Sequence, residues 1–155
     1  MDYTRAMDEF PPPPLANPAD LLIMIVDDEE DIRTLVEYNF KKEGFQTITA
    51  VDGNDALTKL EPRAPDLIIL DLMMPGQSGF EFLRHLQGTG NARIPVVIAT
   101  ARSLDSTTVA VILQEANVVG FFTKPFDWPK IQGEIHTRLK TLRPSPRLRD
   151  NKSDL

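Results

Sequence analysis

Five short apolar, β-branched runs alternate with segments of helical period along this chain, and that alternation constrains the fold more than any other feature. The runs are residues 22–26, 47–50, 67–70, 96–99 and 120–123. Several are apolar throughout, Leu67-Ile68-Ile69-Leu70 among them, as strands buried on both faces must be, which favours a parallel sheet. The first intervening segment carries Ile32, Leu35, Val36 and Phe40 on one stripe; the last carries Ile131, Ile135, Leu139 and Leu142. Right-handed crossovers put such helices on both faces of the sheet, so five βα units give a doubly wound, three-layer α/β domain.

Local punctuation agrees. Asp52 and Asp127 stand where helix N-caps are wanted, and Ser78 followed by Glu81 is a capping-box signature. Gly44, Pro62 and Asn117 are expected helix stops. At 155 residues the chain is long enough for one domain with a real core. Residues 1–19 contain Pro11 to Pro14 and Pro18 and are expected to run extended or disordered outside the fold. The domain is then residues 20–142. Residues 143–155, beginning at the break made by Pro144 and Pro146, read as a basic tail or the start of a linker.

Charge and composition exclude several chemistries. There is no cysteine, hence no disulfide, thiolate metal site or thiol nucleophile. The net charge is −6, although residues 138–155 hold six bases against two acids, so the rest of the chain is more acidic still. An acidic domain does not suit a nucleic-acid partner. The longest aliphatic run, residues 21–26, is far short of the ~20 residues of a membrane span, and residues 1–9 carry Asp2, Asp8 and Glu9 in place of a basic leader. No membrane association and a cytoplasmic location are expected.

In an open parallel sheet, ligands gather at the carboxyl ends of the strands. Asp27 and Asp28 follow the first run, Asp71 the third, Thr100 the fourth, and Lys124-Pro125 the fifth. Any one such acid is commonly a helix cap. Three carboxylates converging on one edge repel each other unless a cation sits among them. With oxygen donors only, the expected ion is Mg²⁺ or Mn²⁺. A carboxylate beside such an ion can act as nucleophile toward a phosphoryl group while an ammonium (Lys124) and a hydroxyl (Thr100) hold the other oxygens. A flavin-binding protein of similar architecture needs a phosphate loop after the first strand, where Asp27, Asp28, Glu29 and Glu30 would repel it. A metal-dependent phosphatase needs a second Asp where Met73 stands.

With these residues in place, residues 20–142 resemble the receiver domain of bacterial two-component response regulators. The matching stretches are IVDDEEDIR at 25–33, PDLIILDLMMPGQSGFEFL at 65–83, VVIATA at 96–101 and GFFTKPF at 120–126. The resemblance implies a flavodoxin-like (βα)5 fold with strand order 2-1-3-4-5. It implies phosphorylation of Asp71 by a sensor histidine kinase or a phosphotransfer protein, and Mg²⁺ held by Asp27, Asp28, Asp71 and the Met73 carbonyl. It further implies phosphoryl contacts from Thr100 and Lys124, a switch aromatic at Phe121, and a cis peptide between Lys124 and Pro125. Output would be a reshaped surface around the fourth helix, fifth strand and fifth helix, serving a homodimer or another partner. The alternative is a receiver-shaped scaffold that works without phosphate.

Some positions depart from the family's pattern. Asn117 and Val118 replace a common Gly-Ala pair, and Val119 and Gly120 replace acids that one transcription-factor branch uses to dimerise. Met73 and Arg102 occupy positions where an acid or amide would best orient an attacking water, so a long-lived phosphoryl group is expected. His85 and His136 are expected to be solvent-facing or partly packed, Trp128 to be a partly buried anchor, and Met24, Met73 and Met74 to pack in the core. Residues 109–113 hold more apolar side chains than one buried stripe needs, which leaves some for an exposed patch.

Overall fold

The computed structural model describes residues 11–61, 63–74, 79–101, 104–115 and 117–144. Pro62, Ser78, Arg102 and Pro146, and with Pro146 most of the basic tail, lie outside the described residues.

Strands β1 (Leu22–Val26), β2 (Gln46–Ala50), β3 (Leu67–Leu70), β4 (Val96–Thr100) and β5 (Val118–Thr123) alternate with helices α1 (Glu30–Lys42), α2 (Gly53–Lys59), α3 (Gly79–Gln87), α4 (Ser106–Leu113) and α5 (Trp128–Leu139). The strands form one parallel sheet in the order β2-β1-β3-β4-β5, as expected. Because side chains alternate along a strand, every strand but the edge strand β2 feeds two cores. Met24, Val26, Ile68, Leu70, Val96 and Ile98 pack on one face with Phe82, Leu86 and Ile112, the side chains of α3 and α4. Ile23, Ile25, Leu67, Ile69, Val97 and Ala99 pack on the other with Val36, Phe40, Ile131 and Ile135, from α1 and α5. Burial of each such side chain stabilises the fold by about 1.5–3 kcal/mol, which is why uniformly apolar strands stay in the middle layer.

Register aligns the strand ends. Val26 pairs with Ala50 and with Leu70, and Leu70 pairs with Ile98. Thr100 pairs with Thr123 after a register shift between Val96 and Val97. Asp27, Asp71 and Lys124 therefore leave the sheet side by side.

Asp52, Asp127 and Gly44 act as the sequence leads one to expect, Asp105 is an additional cap, and Asn117 is not the stop of α4. Asp52 accepts from Asp55 N at 2.8 Å and Asp127 from Lys130 N at 3.3 Å. Asp105 does the same for α4, accepting from Thr108 N at 2.8 Å. Gly44, with φ of 99°, ends α1 in the left-handed region that glycine enters without strain. Asn117 lies beyond the end of α4, which stops at Leu113. It is buried, donates to the Ile94 carbonyl at 3.3 Å and accepts from Gln87 Nε2.

Residues 16–19, expected to run outside a domain starting at 20, are instead part of it: Ala16 bridges Thr141 and Pro18 is buried in the turn Pro18–Asp20, because the backbone groups of Ala16 find partners in the chain leaving α5. Several side chains also differ from expectation. Strand β5 begins two residues early, at Val118, and Thr100 is the last residue of β4 rather than the first beyond it. Leu35 is exposed while Val36 and Phe40 are buried, because α1 covers the sheet with a narrower stripe. Helix α5 ends at Leu139, so Leu142 lies outside it and is exposed. Met24 and Met74 are core residues, whereas Met73 is 55% exposed. His136 is fully enclosed, between Glu43 and Thr141, since it falls on the inner face of α5 beside Ile135. Trp128 packs edge-on against Phe40 and Phe126, the partly buried anchor expected.

Candidate functional site

Each carboxylate is aimed by its own loop. Asp27 N donates to the Ala50 carbonyl at 3.1 Å, extending the β1–β2 ladder by one residue, and Asp27 Oδ1 accepts from Glu29 N at 2.9 Å. Asp71 repeats the arrangement: its N–H donates to the Val26 carbonyl at 2.9 Å and its Oδ1 accepts from Met73 N at 3.0 Å. One oxygen of each acid is thus tied to its own loop and the other is turned toward Lys124. Asp27 and Asp71 are buried, and Asp28 is exposed at the rim. Ligand oxygens of all three lie within 4.8 Å of one another.

Lys124 closes the group from β5. Its Nζ donates to Asp27 Oδ2 at 2.7 Å and to Asp71 Oδ2 at 3.4 Å. Its backbone N–H donates to the Thr100 carbonyl at 2.9 Å, and the peptide to Pro125 is cis. Burial pushes the Asp71 carboxyl above its ordinary pKa, and the adjacent Asp27 charge adds to the effect. The Met73 N–H and the Lys124 ammonium only partly oppose it. Burial acts to lower the Lys124 pKa, but hydrogen bonding and attraction to Asp27 and Asp71 together outweigh it, and the ammonium is held above its ordinary pKa.

Thr100 Oγ1 is buried and makes no hydrogen bond among the described residues. A buried hydroxyl without a partner is costly, so this atom suits an acceptor oxygen brought by a ligand. Phe121 pairs in register with Ile98, two residues before Thr100, and is half-buried against the core on the α3 and α4 face. The structure thus brings Asp27, Asp28, Asp71 and Lys124 into one cluster and sets Thr100 and Phe121 on the adjoining strands.

Two contributors were not evident from residue type. Arg33, one turn into α1, donates to the Asp27 carbonyl at 2.8 Å and braces the loop that carries Asp27 and Asp28. Gly79 opens α3 so close to the β3 exit that an added Cβ would lie 2.6 Å from the Asp71 carbonyl and 2.7 Å from Leu72 Cα. Arg33 belongs to the stretch 25–33 and Gly79 to the stretch 65–83, so both sat inside the motifs without a role attached.

The donor set is all oxygen, which fits a hard divalent cation such as Mg²⁺ or Mn²⁺ and does not suit zinc. A buried carboxylate, an ammonium and a hydroxyl without a partner at one sheet edge have the chemistry on which phosphoryl transfer can draw.

Comparison with known proteins identifies the family. The family model for the response regulator receiver domain matches residues 23–136. The chain is 37% identical over 123 residues to the phosphate regulon transcriptional regulatory protein PhoB of Rhizobium meliloti, covering 79% of this chain and 53% of that protein. It is 38% identical over 120 residues to the alkaline phosphatase synthesis transcriptional regulatory protein PhoP of Bacillus subtilis, covering 77% and 47%. The chain therefore spans about half the length of these relatives. Among solved structures, the chemotaxis protein CheY4 of Vibrio cholerae superimposes with a TM-score of 0.66 at 26% identity, over 76% of this chain and 97% of that one. The response regulator TrrA of Thermotoga maritima, solved in complex with Mg²⁺-BeF, superimposes at 0.65 and 28% identity, over 77% and 98%. On the match over residues 23–136 and the fold that carries it, the chain belongs to the response regulator receiver domain family of two-component signalling.

Proposed function

We propose that this receiver is a phosphorylation-dependent signalling switch that takes a phosphoryl group on Asp71 from the phosphohistidine of a sensor histidine kinase or a phosphotransfer protein. The supporting observation is one constellation: Lys124 bridging Asp27 and Asp71, with the Thr100 hydroxyl buried and unpaired on the next strand.

In this reading an Asp71 carboxylate oxygen attacks phosphorus, the donor's P–N bond breaks, and the electron pair leaves with the imidazole nitrogen, which takes up a proton. Burial makes Asp71 more basic than a solvated carboxylate, which favours attack. Asp27, Asp28, Asp71 and the Met73 carbonyl would hold Mg²⁺, or Mn²⁺, whose charge offsets that of the transferring group. Lys124 and Thr100 would each donate to a phosphoryl oxygen, and Asp27 keeps the Lys124 ammonium in place meanwhile. Hydrolysis of the acyl phosphate by water returns the carboxylate and inorganic phosphate, so the domain catalyses its own turnover without being an enzyme toward an outside substrate.

The phosphoryl group carries roughly −1.5 to −2 charge in place of the carboxylate's single charge and brings further acceptor oxygens, which draw Thr100 and Lys124 inward and leave room for the Phe121 ring to turn in. Shifting a two-state equilibrium from 1:99 to 99:1 takes about 5.5 kcal/mol, and two or three charge-assisted hydrogen bonds supply it. The surface that responds is α4, β5 and α5, where Val111 and Leu113 are exposed. It would serve self-association or another partner, in a cytoplasmic setting and without nucleic acid. Among the described residues no helix is long and apolar enough to cross a membrane.

Incubation with acetyl phosphate and Mg²⁺, read by intact mass and by sizing, tests this. One added phosphoryl group is expected, lost in Asp71→Asn; label persisting in that variant would move the acceptor elsewhere.

A further inference from the structure

The chain's entry to and exit from the domain meet at the sheet edge opposite the carboxylates. Ala16 N donates to the Lys140 carbonyl at 2.8 Å and Leu142 N donates to the Ala16 carbonyl at 2.9 Å, a parallel bridge between Ala16 and Thr141. The incoming side of this bridge is pinned in turn. Pro18 is buried, and the Asn17 side chain caps the single turn Pro18–Asp20 by accepting from Ala19 N at 3.0 Å.

The outgoing side is held from within. Thr141 is buried; its N–H donates to the His136 carbonyl at 3.1 Å and its hydroxyl lies 2.6 Å from His136 Nδ1. The other ring nitrogen of His136 lies 2.8 Å from Glu43 Oε2, at the end of α1, and the ring packs on Phe45. Lys140 turns the chain with φ of 53°, an uncommon conformation for a residue with a side chain. Beyond the turn, Arg143 comes back along α5. A Cβ built on Gly133 would lie 2.7 Å from Arg143 Nη2, so the guanidinium occupies a notch left by a glycine in the helix interior, where glycine is disfavoured.

A helix end that merely stopped would be solvated and free to swing. This one has its last residues bonded to α5, to α1 through His136, and to the segment before β1, with both imidazole nitrogens committed. Such a buried polar cluster has directional requirements that specify one arrangement. We propose that residues 16–18 and 140–143 form a latch that ties the exit from α5 to α1 and to the segment before β1, so that the chain leaves α5 through Pro144 along one fixed path. The latch is independent of phosphoryl chemistry, being built from residues at the other edge of the sheet.

Limited trypsin digestion of the full chain reads the latch directly, because the Lys140–Thr141 bond lies inside it. That bond is expected to resist cleavage in the wild type. Thr141→Val and deletion of residues 1–17 should each speed cleavage there about tenfold, the consequence of losing one or two hydrogen bonds that hold the segment closed. Labelling of Asp71 by acetyl phosphate should be retained in both. Hydrogen exchange in the unaltered chain gives a second measurement that needs no variant: the Leu142 amide, bonded to Ala16, should exchange as slowly as amides of α5. A Leu142 amide exchanging at loop rates, or cleavage at Lys140 equally fast in the wild type and both variants, would overturn the proposal.

Discussion

Lys124 answers two buried carboxylates at once, with Nζ 2.7 Å from Asp27 Oδ2 and 3.4 Å from Asp71 Oδ2. The unequal distances give it one firm partner and one looser one. Asp27 can therefore hold the ammonium while Asp71 changes its chemical state. Replacing Lys124 by Met would leave two acids facing each other in a desolvated edge. The expected loss is about 2–4 kcal/mol without divalent ion, toward the low end for a broken buried pair because the site opens to solvent at Asp28. Urea denaturation with and without Mg²⁺ measures it, and Mg²⁺ should recover part of the loss in the variant.

The raised Asp71 pKa has a definite sign for stability. Burial makes the folded state bind this proton more tightly than the unfolded chain does. Stability therefore falls as pH rises from the ordinary carboxylate pKa through the folded value, and stays reduced above it. Asp71→Asn removes that penalty. The variant should melt above the wild type at neutral pH without divalent ion, with the gap narrowing as pH falls through the same window. A lower melting temperature for the variant at neutral pH would contradict the assignment.

Mg²⁺ binding to Asp27, Asp28 and Asp71 should raise the melting temperature in proportion to the logarithm of its concentration, with a gain of about 2.7 kcal/mol at a hundred times the dissociation constant. Asp28 lies at the rim and is not bonded to Lys124, so Asp28→Asn should weaken the metal response while leaving the metal-free stability within about 0.5 kcal/mol. Thermal melts across a Mg²⁺ titration separate the two effects.

Gly79→Ala tests the close approach of α3 to the site. The added methyl would meet backbone atoms at 2.6 and 2.7 Å, which can yield only if the helix start or the Asp71 loop shifts. A loss of about 1–3 kcal/mol is expected, together with slower labelling of Asp71. Unchanged stability and labelling would show that the loop gives way freely.

Met73 is exposed beside the site and carries no group that could orient an attacking water. The phosphoryl group should accordingly persist for minutes or longer without a phosphatase, and Met73→Glu should shorten its life. Following the labelled mass over time decides this; loss from the wild type within seconds would refute it.

Most of the architecture was readable from the apolar runs alone. Strands buried on both faces, such as Leu67–Leu70, cannot be confused with amphipathic ones, and their spacing leaves room for one helix each. Asp27, Asp28, Asp71, Thr100 and Lys124 were legible because each follows or ends such a run. Boundaries were less so. Thr100 belongs to β4 and Val118 to β5 because a strand extends as far as its neighbour supplies hydrogen bonds, which is a property of the pair. Leu35 and Leu142 looked like core residues on helical periodicity, yet are exposed, since the width of a buried stripe depends on what lies opposite.

The residue order along the chain, through the alternation of periods and the acids at the run ends, was enough to specify a doubly wound sheet with acids gathered at one edge. Tertiary packing alone decided which oxygen Lys124 grips, that Thr100 is left unpaired, that Gly79 presses on Asp71, and that His136 sits between Glu43 and Thr141. The reason is one of range. Periodicity and capping act over a few neighbouring residues and are written locally, whereas Lys124 and Asp27 are 97 positions apart and His136 and Glu43 are 93. Such pairs are set by the sheet register that brings their elements together.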